Sequence, residues 1–136
     1  MKFQREHLTL YAVTDSYWAK ETSLYEQVRQ ALEGGVTCVQ LREKNLDEAA
    51  FLAEAIRIKD LCRQYQVPLI INDNLAVALK SGADGIHVGQ DDQSAAEIRA
   101  IAGPDFIIGV TAKTVEQAKK AEADGADYLG SGAVFP

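Results

Sequence analysis

Along the chain, short apolar or alternating runs take turns with stretches whose apolar residues recur at helical spacing. The runs at 8–13, 36–41, 69–71, 86–88, 106–110 and 128–130 predict strands; the run at 69–71, apolar throughout and following Pro68, suits a parallel strand covered on both faces. Helices are predicted between them. Ser23-Leu24-Tyr25-Glu26, Ser94-Ala95-Ala96-Glu97 and Thr114-Val115-Glu116-Gln117 are capping boxes, opening helices over 24–32, 95–102 and 115–123. A longer helix starts at Asn45 or Asp47 and carries Phe51, Ala55, Ile58, Cys62 and Tyr65 as a core stripe before Pro68. Leu75, Ala78 and Leu79 share one face of a short helix that Gly82 closes. Residues 16–22 read as a loop, with Tyr17 and Trp18 packing on a rim.

The same punctuation recurs: Gly34-Gly35-Val36, Gly82-Ala83-Asp84 and Gly125-Ala126-Asp127 each join a helix to a strand. Strict alternation of strand and helix predicts a parallel sheet with helices outside. The strands also have a polarity. Their N-terminal ends carry Gly and Ala, whereas Thr14, Asp15, Gln40, Arg42, Asn72, Asp73, Gln90, Asp92, Thr111 and Ser131 cluster at C-terminal ends, where sites in (β/α)8 barrels lie. In the second strand Cys38, Gln40 and Arg42 share one face and Val39 and Leu41 the other. An open doubly wound sheet gives no reason for that polar inner face, and no GxGxxG follows the first strand. The expected fold is therefore an α/β (β/α)8 TIM barrel. Such barrels take about 200 residues or more, so residues 1–136 are expected to form a single, incomplete barrel domain holding about the first six βα units. Its two open edges call for further chain, a homo-oligomer or a complementing chain.

Composition narrows the partners. The chain is 47% hydrophobic and 25% charged, ordinary for one globular domain. A net charge of −6 without a basic run argues against nucleic acid or an anionic membrane as partner. Cys38 and Cys62 lack any CxxC or His spacing and read as reduced, packed thiols. No run is long enough for a signal peptide or a membrane span, so the expected location is cytoplasmic.

The chemistry gathers around residues 68–92. In a right-handed βαβ unit Asp73 and Asp92 fall at the same end of one sheet, where two acids repel unless a cation sits between them. Ser94 already caps the next helix, which frees Asp92 for binding; Asp73 is equally consistent with a cap and a ligand. Gln40, Arg42 and Lys44 project near them with Asn72. Arg42 offers a planar fork for phosphate oxygens and Lys44 a point charge, and two hard carboxylates suit a Mg²⁺ that keeps waters and bridges to phosphates. Together they predict a small-molecule di- or polyphosphate. The plainer alternatives are salt bridges from Arg42 and Lys44 to Glu43 or Asp73, a helix cap at Asn72 and a packed, hydrogen-bonded His87.

Taken together, LYAVTD, QLREK, NDN, GADGIHVGQDD, GVTAKT and DGADYLGSGAVFP resemble the thiamine-phosphate synthase family, in order and over essentially the whole chain. The resemblance implies a transferase of thiamine biosynthesis that joins hydroxymethylpyrimidine diphosphate to a thiazole phosphate and releases pyrophosphate. It implies that Gln40, Leu41, Arg42, Glu43, Lys44, Asn72 and Thr111 bind the pyrimidine diphosphate, that Arg42 and Lys44 act in catalysis, and that Asp73 and Asp92 hold Mg²⁺. It also implies a Thr-rich, Lys-containing loop after Phe135-Pro136, then two more strands with a phosphate site. The 136 residues alone are accordingly expected to lack thiazole binding and to have little or no synthase activity. Two readings compete: a thiazole tautomerase-like barrel, and a catalytically incompetent truncated scaffold.

Overall fold

Small polar side chains set where each helix begins. In the computed structural model, which describes residues 1–16 and 22–135, five such residues accept a hydrogen bond from the N–H three positions on. They are Ser23, Asp47, Asn74, Ser94 and Thr114, at 2.8–3.2 Å. They open α1 (Leu24–Glu33), α2 (Glu48–Gln64), α3 (Leu75–Ser81), α4 (Ala95–Ala102) and α5 (Val115–Ala123). Asp47, not Asn45, starts α2. Asn74 caps α3, which removes the helix-cap reading from both Asn72 and Asp73. Gly82 ends α3 with φ +74°, a left-handed conformation that costs glycine least. Tyr65, expected in the α2 core stripe, is instead that helix's C-cap residue and 37% exposed. Leu79 likewise faces outward. Tyr17 and Trp18 lie outside the described residues.

The strands are β1 (Tyr11–Val13), β2 (Cys38–Leu41), β3 (Leu69–Asn72), β4 (Gly85–Val88), β5 (Ile107–Thr111) and β6 (Tyr128–Gly130). All pair in parallel with their sequence neighbours, giving one six-stranded sheet in the order β1-β2-β3-β4-β5-β6. Right-handed crossovers in this order carry every helix to one side, and the sheet curls into a half-barrel. Three strands start later than their apolar runs: β1, β2 and, by one residue, β5. Arg5–Leu8 forms a 3₁₀ helix ahead of β1, and the Val36 N–H closes α1 by donating to Ala31 O rather than joining the ladder.

Strand alternation sorts the core into two layers. Val39, Leu41, Leu69, Ile71, Ile86, Val88, Ile108 and Val110 face the helices, packing against residues such as Phe51, Ala55, Ile58 and Val77. On the other face a smaller cluster of Cys38, Ile70, Ile107 and Tyr128 is covered by Phe3 and Tyr11. Phe3 stacks on Tyr128 with ring centroids 5.9 Å apart, closing the inner layer from below. The outer strands β1 and β6 have one neighbour each.

Candidate functional site

Register decides which side chains meet. Val13 is level with Gln40, Gln40 with Ile70, Asn72 with His87, His87 with Gly109, and Thr111 with Gly130. Above the inner apolar cluster, Gln40, Asn72, His87 and Thr111 therefore form a polar tier at the C-terminal end of the sheet. They line a cleft of about 600 Å³ with Tyr11, Arg42 and Tyr128.

The tier is one connected network drawing a side chain from every strand. Asn72 Nδ2 donates to Gln40 Oε1 at 2.9 Å, and Gln40 Nε2 donates to Tyr11 Oη at 3.2 Å. Tyr11 and Tyr128 share a short hydroxyl–hydroxyl bond. Tyr128 Oη lies 3.0 Å from His87 Nδ1, and His87 Nε2 lies 2.9 Å from Thr111 Oγ1. Gln40 is 5% exposed, yet among the described residues no buried side-chain polar atom lacks a partner. Burial is the main reason the His87 pKa falls below its ordinary value, against a smaller upward pull from Asp73. Burial also raises both tyrosines and pushes the Cys38 thiol up to about 12, so at neutral pH the network is uncharged.

Above this tier the charged residues begin. Thr14 accepts from the Arg42 N–H at 3.0 Å and its own N–H donates to Gln40 O at 3.0 Å, which pins the chain where β2 emerges. Arg42 then lines both the central cleft and a smaller one formed with Asp15, Ser16, Lys44 and Asn45. Lys44 Nζ donates to Asp73 Oδ2 at 3.1 Å. That is the salt-bridge alternative for Lys44, but the two side chains are 53% and 37% exposed, and such pairs contribute only about 0–1 kcal/mol. An anionic ligand can take Lys44 over at little cost. Leu41 is buried against the helices, so only its backbone faces a ligand near Arg42. Glu43 is half-buried, and burial first and Asp15 second raise its pKa.

Asp73 has φ +65° and hangs on the ladder through its N–H, which donates to His87 O at 2.9 Å. Asp92 caps no helix, because Ser94 does so. It is not free of partners either: its Oδ2 accepts the Gly89 N–H at 2.8 Å, which folds the loop after β4 back on itself. Among the described residues no group of three or more metal-ligating side chains forms. Asp92 lines a cleft with Gln90, Ser94 and Lys120, whereas the Asp73 carboxylate pairs with Lys44. By type both are oxygen ligands suited to a Mg²⁺ that keeps most of its shell as water and phosphate, and too few for an all-protein cage.

Sequence reasoning missed Tyr11 and Tyr128 as parts of this tier, and gave His87 only a packing role. The available signal was the two-residue period: Tyr11 falls on the same face as Val13, and Tyr128 on the same face as Gly130.

Comparison with known proteins supplies the context. The thiamine monophosphate synthase family profile matches residues 10–136. A thiamine-phosphate synthase of Caldanaerobacter subterraneus is 48% identical over 132 residues, covering 97% of this chain and 62% of that protein. The chloroplastic thiamine biosynthetic bifunctional enzyme TH1 of Arabidopsis thaliana is 50% identical over 136 residues, which make up 26% of its length. Among solved structures, a thiamine phosphate pyrophosphorylase from Pyrococcus furiosus superposes with a TM-score of 0.89 at 39% identity. That match covers 97% of this chain and 63% of that one. The chain thus spans about three fifths of the single-function relatives it matches, and the half-barrel, its strand order and its sequence identify it as a member of the thiamine monophosphate synthase family.

Proposed function

We propose that the protein to which these residues belong is a thiamine-phosphate synthase, a Mg²⁺-dependent (β/α)8 barrel whose pyrimidine-diphosphate half-site is formed here. The single observation that carries this reading is the arrangement at the sheet's C-terminal end. An uncharged hydrogen-bonding tier of Gln40, Asn72 and Thr111 lies below, with Arg42 above it and the Lys44–Asp73 pair alongside. A flat heteroaromatic ring suits the tier, and a diphosphate suits the cations.

In the reaction, the bond between the pyrimidine methylene carbon and the diphosphate oxygen breaks. Its electron pair leaves with pyrophosphate, and the thiazole nitrogen lone pair forms the new C–N bond to the resulting pyrimidine-methyl cation. Arg42 and Lys44 stabilise charge accumulating on the leaving group, Gln40 and Asn72 orient the ring, and Thr111 contacts the pyrimidine or diphosphate. Asp73 and Asp92 would hold Mg²⁺, which when bound neutralises diphosphate charge. Gln90 Nε2 donates to Thr111 O at 2.7 Å and so couples the loop carrying Asp92 to the end of β5. The stretch Gln40 to Lys44 together with Asp73 and Asp92 suits a metal-bound diphosphate, which disfavours the tautomerase alternative and its thiazole carboxylate phosphate. The thiazole phosphate contacts would belong to the roughly two fifths of the relatives' length that lies outside these residues, and the open edges β1 and β6 are where the rest of the barrel, or a complementing chain, would pair.

Calorimetric titration of hydroxymethylpyrimidine diphosphate into the 136-residue chain tests the reading. Binding should require Mg²⁺, vanish in Asp92→Ala and weaken on the order of tenfold to a hundredfold in Arg42→Ala, the range for a lost charged hydrogen bond. Thiamine phosphate formation by this chain alone should be negligible, and clear turnover would refute that part. A wild-type chain that binds nothing, with or without Mg²⁺, would sink the assignment.

A further inference from the structure

The network that runs through all six strands has a direction. Asn72 donates to Gln40, and Gln40 donates to the Tyr11 hydroxyl oxygen. Tyr11 must then send its single proton onward, and the partners in reach are the Tyr128 hydroxyl and the Cys38 thiol. Sulfur is the weaker acceptor, so the proton goes to Tyr128. The Tyr128 proton in turn has His87 Nδ1 as its acceptor at 3.0 Å. A neutral imidazole that accepts at Nδ1 carries its hydrogen on Nε2 and donates it to Thr111 Oγ1, 2.9 Å away. The Thr111 hydroxyl proton is left over, on a residue that lines the cleft.

We infer that Tyr11, Tyr128 and His87 form a positioning relay that locks His87 in the Nε2–H tautomer and obliges Thr111 to present its hydroxyl to the cleft as a hydrogen-bond donor. The ligand group it meets must be an acceptor: a phosphate oxygen or an unprotonated ring nitrogen. Reversing the relay would turn Tyr128 towards Tyr11, which already accepts from Gln40, and would strand the Tyr11 proton against sulfur. The packing supports a fixed arrangement. A Cβ at Gly109 would collide with the Tyr128 ring and one at Gly130 would lie 3.2 Å from His87 Cε1, so Tyr128 occupies space opened by a glycine on the adjacent strand β5 and His87 space opened by one on β6, two strands away. Phe3 holds Tyr128 from the other side.

Only the identity of the ligand that Thr111 meets rests on the pyrimidine-diphosphate reading. The relay itself can be tested without ligand, by ¹⁵N-edited NMR of the histidine rings in the 136-residue chain at neutral pH. The chain has two histidines, His7 and His87, and His7→Gln assigns the signals. His87 should show one protonated nitrogen, Nε2, and one unprotonated nitrogen, Nδ1. Tyr128→Phe and Tyr11→Phe each remove one oxygen from the relay and keep the ring. Tyr128→Phe should bring in a substantial Nδ1–H population, and Tyr11→Phe, which frees Tyr128 to turn, a smaller one. A wild-type Nδ1–H tautomer or a mixture overturns the relay, as does a Tyr128→Phe spectrum unchanged from wild type. Titration with hydroxymethylpyrimidine diphosphate and Mg²⁺ then separates the two readings. Thr111→Val and Tyr128→Phe should each lose on the order of tenfold in affinity, and the double variant little more than either. A locked tautomer in a chain that binds no such ligand leaves the relay intact and removes the functional assignment. Binding with an unlocked tautomer does the reverse.

Discussion

Arg99 is the residue whose loss should cost this fold most for the least change in shape. From α4 its guanidinium donates Nη1 to the carbonyl oxygens of Gly103 at 2.9 Å, Pro104 at 3.3 Å and Phe106, and Nη2 to Gly125 O at 2.7 Å and Asp127 Oδ2 at 3.0 Å. One planar fork thereby ties the loop before β5 to the loop before β6. Arg99→Met keeps the aliphatic stem and removes every donor. A hydrogen bond to a charged group contributes about 1.5–3 kcal/mol, and bonds sharing one guanidinium are far from additive. The side chain is 21% exposed and Asp127 27%, so part of what is lost will be regained from water. The expected destabilisation is about 3 kcal/mol. With a urea m-value of about 2 kcal/mol/M for a domain this size, the unfolding midpoint should fall by about 1.5 M. Arg99→Lys should recover less than half, because an ammonium cannot fork between two loops. A midpoint for Arg99→Met within about 0.3 M of wild type, at unchanged m-value, would refute the reasoning.

Two further outcomes follow from the inner layer. Gly109→Ala places a methyl against the Tyr128 ring, 2.6 Å from Cε1; Phe3 and the hydrogen bonds to Tyr11 and His87 leave the ring no easy retreat. Overpacking of this kind costs about 1–3 kcal/mol, readable by the same urea titration, and a neutral result would mean the ring is loosely held. The folded His87 resists protonation, so its contribution to stability is complete above the unfolded-state value of 6.5 and is lost as pH falls below it towards the depressed folded value. Thermal unfolding followed from neutral pH down to the carboxylate range should show Tm falling with pH, and His87→Gln should flatten that slope.

The periodic signals carried the fold because they report local physics. Ser23, Ser94 and Thr114 cap the helices that their boxes announce, and Val39 and Leu41 face the helices as alternation requires. What they could not carry was competition between neighbours. Asn72, Asp73 and Asn74 stand side by side, each a good cap by type, and only the backbone geometry gives the cap to Asn74 and sends Asp73 to a left-handed conformation beside Lys44. Asp92 was correctly separated from helix capping, but its bond to the Gly89 N–H depends on a turn that no residue pattern announced. Gln40 and Arg42 were legible as an inward polar face because they share one strand. The same period puts Tyr11 and Tyr128 on that face, but not in contact: their meeting depends on how far the sheet curls, and 117 residues separate them.

The two ends of the sheet show why polar residues at one end read as function and at the other as structure. At the N-terminal end the polar residues repeat. Thr37, Asp84 and Asp127 each immediately precede an even-numbered strand, and each accepts a backbone N–H from the odd-numbered unit before it. The donors are Leu10 at 2.8 Å, Leu69 at 2.9 Å and Ile108 at 2.8 Å. Glycine and alanine in the same turns had made this end look featureless, yet it carries a clamp every second βα unit, with Arg99 reinforcing the last. A repeated residue doing a repeated job satisfies backbone that every such fold must satisfy. At the C-terminal end nothing repeats: Gln40, Asn72, His87 and Thr111 differ in type, and each has a different partner. Unlike side chains brought to one tier satisfy one another and whatever fits between them. That asymmetry, more than any single motif, is what makes the C-terminal ends of the strands read as the site.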